Sequence, residues 1–171
     1  MSFLVVAAHP GAEHLDLEPM LRVGGRGWDA IDSHRQPGFS CAIAARWTVP
    51  EDEGQSAVVV DPDSGRILVW DGRLDDRAAL STALELDSTA STPALLLRGF
   101  RKWGDDLPRR LLGDFAFLIF DPFANVIFAA RDRLGIRPLV YTRVAGGLRF
   151  ASEERALLAM RDVSAAADEA S

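Results

Sequence analysis

A single cysteine, Cys41, is all the thiol this chain has, so neither an internal disulfide nor a cysteine-rich zinc site can be built within it. Its neighbours Ala42 and Ile43 mark it as a buried strand thiol rather than a reactive one. The three histidines, His9, His14 and His34, share no ligand spacing with acidic or thiol partners, and no metal site is expected. Basic charge is scarce as well. With 19 Lys and Arg against 25 Asp and Glu, the formal charge is -6, and no basic stripe is left to neutralise a phosphate backbone, which excludes a nucleic-acid surface. No apolar run approaches the roughly twenty residues of a membrane-spanning helix. The amino terminus lacks a basic region followed by an apolar core, so no signal peptide is read and a cytoplasmic protein is expected. Internal repeats and low-complexity segments are also missing.

What is present suits one compact domain over residues 1–160, since 171 residues that are 48% hydrophobic can bury a sizeable core. Residues 161–171 are mostly Ala, Asp, Glu and Ser without apolar periodicity, and read as a linker stub or frayed tail. The densest signal runs from Leu111 to Ala159 as three or four strands closed by a helix. Phe115 to Phe120 is apolar at odd and even positions alike, so both faces of that strand must leave water, as in the middle of a layered sandwich. Asp121-Pro122 ends it, Ala124-Asn125 turns, and Val126 to Ala130 returns as the second arm of a hairpin. Arg131-Asp132-Arg133 follows, then the turn Leu134-Gly135-Ile136-Arg137-Pro138. Asp132 is expected to hold one or both arginines bidentately at a strand end; the alternative is a solvated loop.

Upstream, Ser2 to Ala8 is a short apolar strand at the terminus itself. His9 to Gln36 reads as loops around one short helix near Leu15 to Val23. Phe39 to Val49, Ala57 to Val60 and Ile67 to Trp70 are strand-like, with a turn at Asp61 to Arg66. Leu74 to Leu86 and Pro93 to Trp103 carry apolar residues at helical spacing, and a short helix over Leu107 to Leu112 leads into the central strand. Strands, two helices, more strands and a closing helix give an α+β fold of the four-layer α/β/β/α sandwich type.

Gly113-Asp114-Phe115 onward to Asp121, then Ala129-Ala130-Arg131-Asp132-Arg133-Leu134-Gly135-Ile136-Arg137-Pro138-Leu139-Val140-Tyr141, then Gly146-Gly147-Leu148-Arg149-Phe150-Ala151-Ser152 onward to Ala159, resemble in order and spacing the signature of the class II glutamine amidotransferase domain. That domain begins asparagine synthetase B and its relatives, the β-lactam synthetases and lasso-peptide cyclases. Weaker similarity lies at Asp71-Gly72-Arg73-Leu74-Asp75-Asp76-Arg77 and at Arg26-Gly27-Trp28-Asp29, where the family usually writes Arg-Gly-Pro-Asp. The resemblance implies an Ntn-hydrolase fold and a glutaminase whose nucleophile is the first residue of the mature chain, with its own α-amine as base.

The residues depart from that machinery. The family requires cysteine at the terminus; here Met1 precedes Ser2, and removal of Met1 would leave a hydroxyl, harder to deprotonate than a thiol. Where the family has Asn-Gly-Glu, this chain has Asp71-Gly72-Arg73. Asparagine donates to a developing oxyanion and an ionised aspartate cannot; one lost donor typically costs about a hundred- to a thousandfold in rate. Arg73 reverses the charge that would hold a substrate ammonium, and Thr92 stands where the family has its second acid. Arg46 falls at the family's carboxylate-binding arginine, or else caps a strand end. Asp114, Arg131, Asp132 and Arg133 form the structural part of the motif. The resulting expectation is a degenerate glutaminase-like domain acting as scaffold for an ATP-using, amide-forming synthetase domain in cis or in trans. Its ATP and magnesium would be bound there, since no Ser-Gly-Gly-x-Asp-Ser phosphate loop occurs in this chain and no cofactor is expected in it. A homo-oligomer, an active Ser2 amidohydrolase and a small-molecule module reusing the glutamine pocket remain the other readings.

Overall fold

In a computed structural model, residues 2–13, 15–25, 27–46 and 56–165 are described. Met1, His14, Arg26 and residues 47–55 and 166–171 lie outside them, and with these the fate of Met1, the start of the Arg26 segment, the end of the expected Phe39 to Val49 strand and the end of the expected tail. Two antiparallel sheets stack face to face. The first contains β1 (Ser2–Ala8), β2 (Ala30–Gln36), β3 (Phe39–Ala45), β8 (Val140–Val144) and β9 (Gly147–Ala151), ordered β2-β3-β1-β9-β8. The second contains β4 (Ser56–Val60), β5 (Ile67–Leu74), β6 (Gly113–Asp121) and β7 (Val126–Arg131), ordered β4-β5-β6-β7. Helices α1 (Glu18–Val23) and α4 (Glu154–Leu158) cover the first sheet, and α2 (Arg77–Leu84) and α3 (Thr92–Trp103) cover the second, with a 3-10 helix at Gly104–Arg110.

Alternation along the strands explains the layers. In β6, Leu118 and Phe120 point between the sheets while Phe115, Phe117 and Ile119 point to the helices, so the run leaves water on both faces. Phe39 and Phe120 stack across the sheets with ring centroids 4.3 Å apart. Cys41 sits fully buried in this inter-sheet layer, as the sequence led one to expect. The four-layer α/β/β/α arrangement is therefore the architecture of the chain.

Some boundaries differ from the sequence reading. Residues 30–36, where the sequence pattern predicts loop, form edge strand β2, paired along its whole length with β3 from Ala30↔Ala45 to Gln36↔Phe39. Its residues are mostly exposed and mostly polar, so the alternation that betrays a half-buried strand is missing. The first helix is shorter than expected, Leu17 being its N-cap. Leu74 belongs to β5, not to α2, whose N-cap is Asp76 with its side chain accepting from the N–H of Ala79. Ser91 caps α3 in the same way through the N–H of Ala94.

Candidate functional site

The hydroxyl of Ser2, at the start of β1, donates to the carboxylate of Asp71, which lies in β5 of the facing sheet. Arg137, from the loop after β7, brings Nη1 to 3.4 Å from Ser2 Oγ and 3.6 Å from Asp71 Oδ1. Asp71 is buried and Arg137 is partly covered, so the pair interacts where water screens less than at the surface. These three side chains come from distant parts of the sequence, and the facing of β1 and β5 across the two sheets, with the loop after β7, brings them together.

Two glycines shape the neighbouring backbone. Gly72 has φ +146°, and a Cβ there would lie 2.2 Å from the carbonyl oxygen of Asp114. Across the ladder, a Cβ on Gly113 would lie 2.0 Å from the carbonyl oxygen of Arg73. The close approach sets Arg73 opposite Asp114, and the guanidinium bonds both Asp114, at 3.4 Å, and Asp75. Arg73 is thus engaged with acids of its own chain.

The loop carrying Arg137 is organised by Asp132. Its buried carboxylate accepts the backbone N–H groups of Leu134, Ile136 and Arg137, each at 3.0 Å, and its own N–H donates to Phe115 O at 2.8 Å. Burial pushes the Asp132 carboxyl up, but the backbone donors together outweigh it and hold the group below the ordinary aspartate range. The expected pairing of Asp132 with Arg131 and Arg133 is therefore corrected. Successive side chains on an extended chain point to opposite sides, so Arg131 turns away, its Nη1 reaching only the carbonyl of Leu139 at 3.5 Å, and Arg133 is exposed. Local backbone donors in a tight loop reach the carboxylate first.

Thr92 and Arg46 have partners of their own, and Arg46 adjoins Ala45, the residue of β3 that pairs with Ser2. Thr92 opens α3, and its hydroxyl accepts from Arg77, whose other nitrogen donates to Ala90 O at 2.5 Å; it ties α2 to α3. Arg46 follows the end of β3, donating to Gly27 O at 3.2 Å and lying 5.3 Å from the ring centroid of Trp28. Asp114, Arg131, Asp132 and Arg133, with Leu111, Leu112 and Leu134, line a groove of about 920 Å³. Among the described residues no three acidic, histidine or cysteine side chains could hold a metal, and no helix is long and apolar enough to cross a membrane. Arg137 is the participant sequence reasoning missed; the signal was an arginine fixed between Gly135 and Pro138 in an otherwise apolar turn.

This fold is that of a class II glutamine amidotransferase, with the Ser2 hydroxyl facing Asp71 inside strand β5 of the opposite sheet. The chain belongs to the glutamine amidotransferase domain family, whose profile matches residues 16–171. It is 35% identical over 106 residues to asparagine synthetase [glutamine-hydrolyzing] 3 of Bacillus subtilis, covering 59% of this chain and 17% of that protein. Asparagine synthetase [glutamine-hydrolyzing] 1 of the same organism is 28% identical over 163 residues, covering 88% of this chain and 25% of that protein. The chain therefore spans a quarter or less of these relatives. Among solved structures, the allosteric regulatory enzyme of purine biosynthesis superposes with a TM-score of 0.66 at 18% identity, covering 93% of this chain and 43% of that one. Glutamine phosphoribosylpyrophosphate amidotransferase of B. subtilis superposes with a TM-score of 0.55 at 19% identity, over 92% of this chain and 37% of its own. Both likenesses establish the Ntn-type fold.

Proposed function

We propose that this domain has lost glutamine hydrolysis and serves as a cytoplasmic scaffold for an ATP-dependent, amide-forming synthetase, joined to it or separate, of the kind found in β-lactam synthetases and lasso-peptide cyclases. The observation that carries the reading is the Ser2–Asp71 hydrogen bond. The position that should donate to a developing oxyanion is a carboxylate, which when ionised only accepts, and it is hydrogen-bonded to the candidate nucleophile Ser2. Arg73, bound to Asp75 and Asp114, presents a cation where a substrate ammonium needs an anion. Thr92 is used in joining two helices.

Contact rather than chemistry is then the domain's use, and its surface suits that. Leu134 is 85% exposed, Ile136 56% and Leu112 64%, and Phe123 at the β6–β7 turn is 88% exposed. Pro138 is exposed too, so none of these turn residues folds back into the domain's own core. The ATP and magnesium of the proposed reaction belong to the synthetase.

One arrangement favours the second reading, an active Ser2 amidohydrolase: a carboxylate accepts the Ser2 proton while Arg137 stands 3.4 Å from the same oxygen. Ammonia release from glutamine separates the two. The purified domain should show none above background; turnover on the order of once per second, abolished by Ser2→Ala, would sink the scaffold reading. The contact surface is tested separately, by pairing with a synthetase subunit or self-association, either of which Phe123→Asp with Ile136→Asp should abolish without unfolding the domain.

A further inference from the structure

The two sheets do not match in number. Among the described residues one has five strands and the other four, and at the end where β7 and β8 are outermost, β8 overhangs a place with no described strand beneath it. Tyr141 makes the mismatch visible. It sits opposite Phe150, whose side chain belongs to the inter-sheet core, and the two rings stack with centroids 5.8 Å apart, so Tyr141 faces inward. Yet Tyr141 is 63% exposed. An inward-facing aromatic of a sandwich is left open only where the opposite layer stops short.

Below it lies a groove of about 560 Å³, walled by Ile127, Phe128, Leu139, Leu148 and Phe150. It adjoins a second groove of about 440 Å³ that shares Ile127, Arg143 and Leu148. The free edge of β7 runs along it, with no strand paired to that edge among the described residues. An unpaired edge offers a row of backbone donors and acceptors to another extended chain. Charge marks the two ends. Arg131 closes β7 at one, and Arg143 lines the groove near Ile127 at the other; four residue steps from Ile127 to Arg131 span about 13 Å. Neither arginine has a carboxylate within salt-bridge distance among the described residues, in a chain where most other strand and helix arginines do.

We propose that the edge of β7, roofed by β8, receives a fifth strand from a partner protein. That strand is extended and apolar at its centre, with carboxylates four residues apart on the face toward β8 to meet Arg131 and Arg143. Period-two alternation puts residues i, i+2 and i+4 on that face, so the pattern is acid, one residue, aliphatic, one residue, acid. A second copy of this chain is a poor occupant, because its own β7 and β8 would bring Arg131 and Arg143 against the same arginines. The inference stands apart from the scaffold reading and holds whether or not glutamine is hydrolysed.

The probe is an acetylated, amidated heptapeptide, Ser-Glu-Thr-Val-Thr-Glu-Ser, titrated into the chain while hydrogen exchange is followed along β7. Binding should protect the alternate β7 amides that point away from β6. Arg143→Glu should weaken it at least tenfold, and a peptide with lysine in place of both glutamates should bind the Arg143→Glu protein better than the parent. Arg131→Glu should act alike, and because both arginines are exposed, Arg143→Glu alone decides if the other variant fails to fold. Absence of binding, or binding indifferent to the charge swap, overturns the proposal. So does protection of β7 amides on self-association without peptide, which would assign the edge to a second copy.

Discussion

The carboxylate of Asp132 and the backbone N–H of Arg137 meet at 3.0 Å, and that bond fixes the loop whose arginine reaches Ser2 and Asp71. Asp132→Ala would strip an acceptor from three N–H groups at once. Water can reach part of this half-open loop, so the expected loss is about 3 kcal/mol rather than the sum of three buried orphans. Urea unfolding measures it; a midpoint equal to that of the parent chain would show that the loop holds without its acid.

The same group predicts an acid limb. Its folded pKa lies below the unfolded value near 3.9, so its contribution is fully present above about pH 4 and fades as pH falls through the folded pKa. The stability gap between the parent and Asp132→Asn should therefore be constant from neutral pH to about pH 5 and close in stronger acid. A gap that opens on acidification would reverse the assignment.

Gly72→Ala should cost about 3 kcal/mol, because its Cβ would meet the backbone carbonyl of Asp114, which cannot step aside without breaking the β5–β6 ladder. Gly11→Ala is the control: φ is +88° but nothing lies within 4 Å, so only backbone strain of about 1 kcal/mol applies. Thermal melts of the two variants should differ accordingly.

Cys41 should be inert while the domain is folded. Burial pushes its thiol up to about 12, so hardly any thiolate exists at pH 8. A disulfide reagent such as dithionitrobenzoate should label it only at the rate of unfolding; prompt labelling of native protein would mean the inter-sheet layer opens.

Much of this was readable before the structure. Phe115 to Phe120 carries its layer in its own pattern, and Ser2 to Ala8 and Pro93 to Trp103 lie within a residue of where their patterns put them. Edge strand β2 was not, since its identity rests on pairing with β3 and not on its own side chains. Asp132 was legible as a structural carboxylate, but charge alternation suggested arginines where backbone geometry supplied the donors. Arg137 was illegible for a different reason: its partners lie 135 and 66 positions away, and a linear pattern cannot encode which turn will meet which strand end.

The position of β1 also bears on how the chain can be made. It lies in the centre of its sheet, between β3 and β9, so during synthesis β1 keeps one edge unsatisfied until residues 147–151 follow. Release of nascent chains stopped near residue 146 should yield an aggregation-prone species with an open central edge, and commitment to the native state should come only once residues 147–151 have emerged.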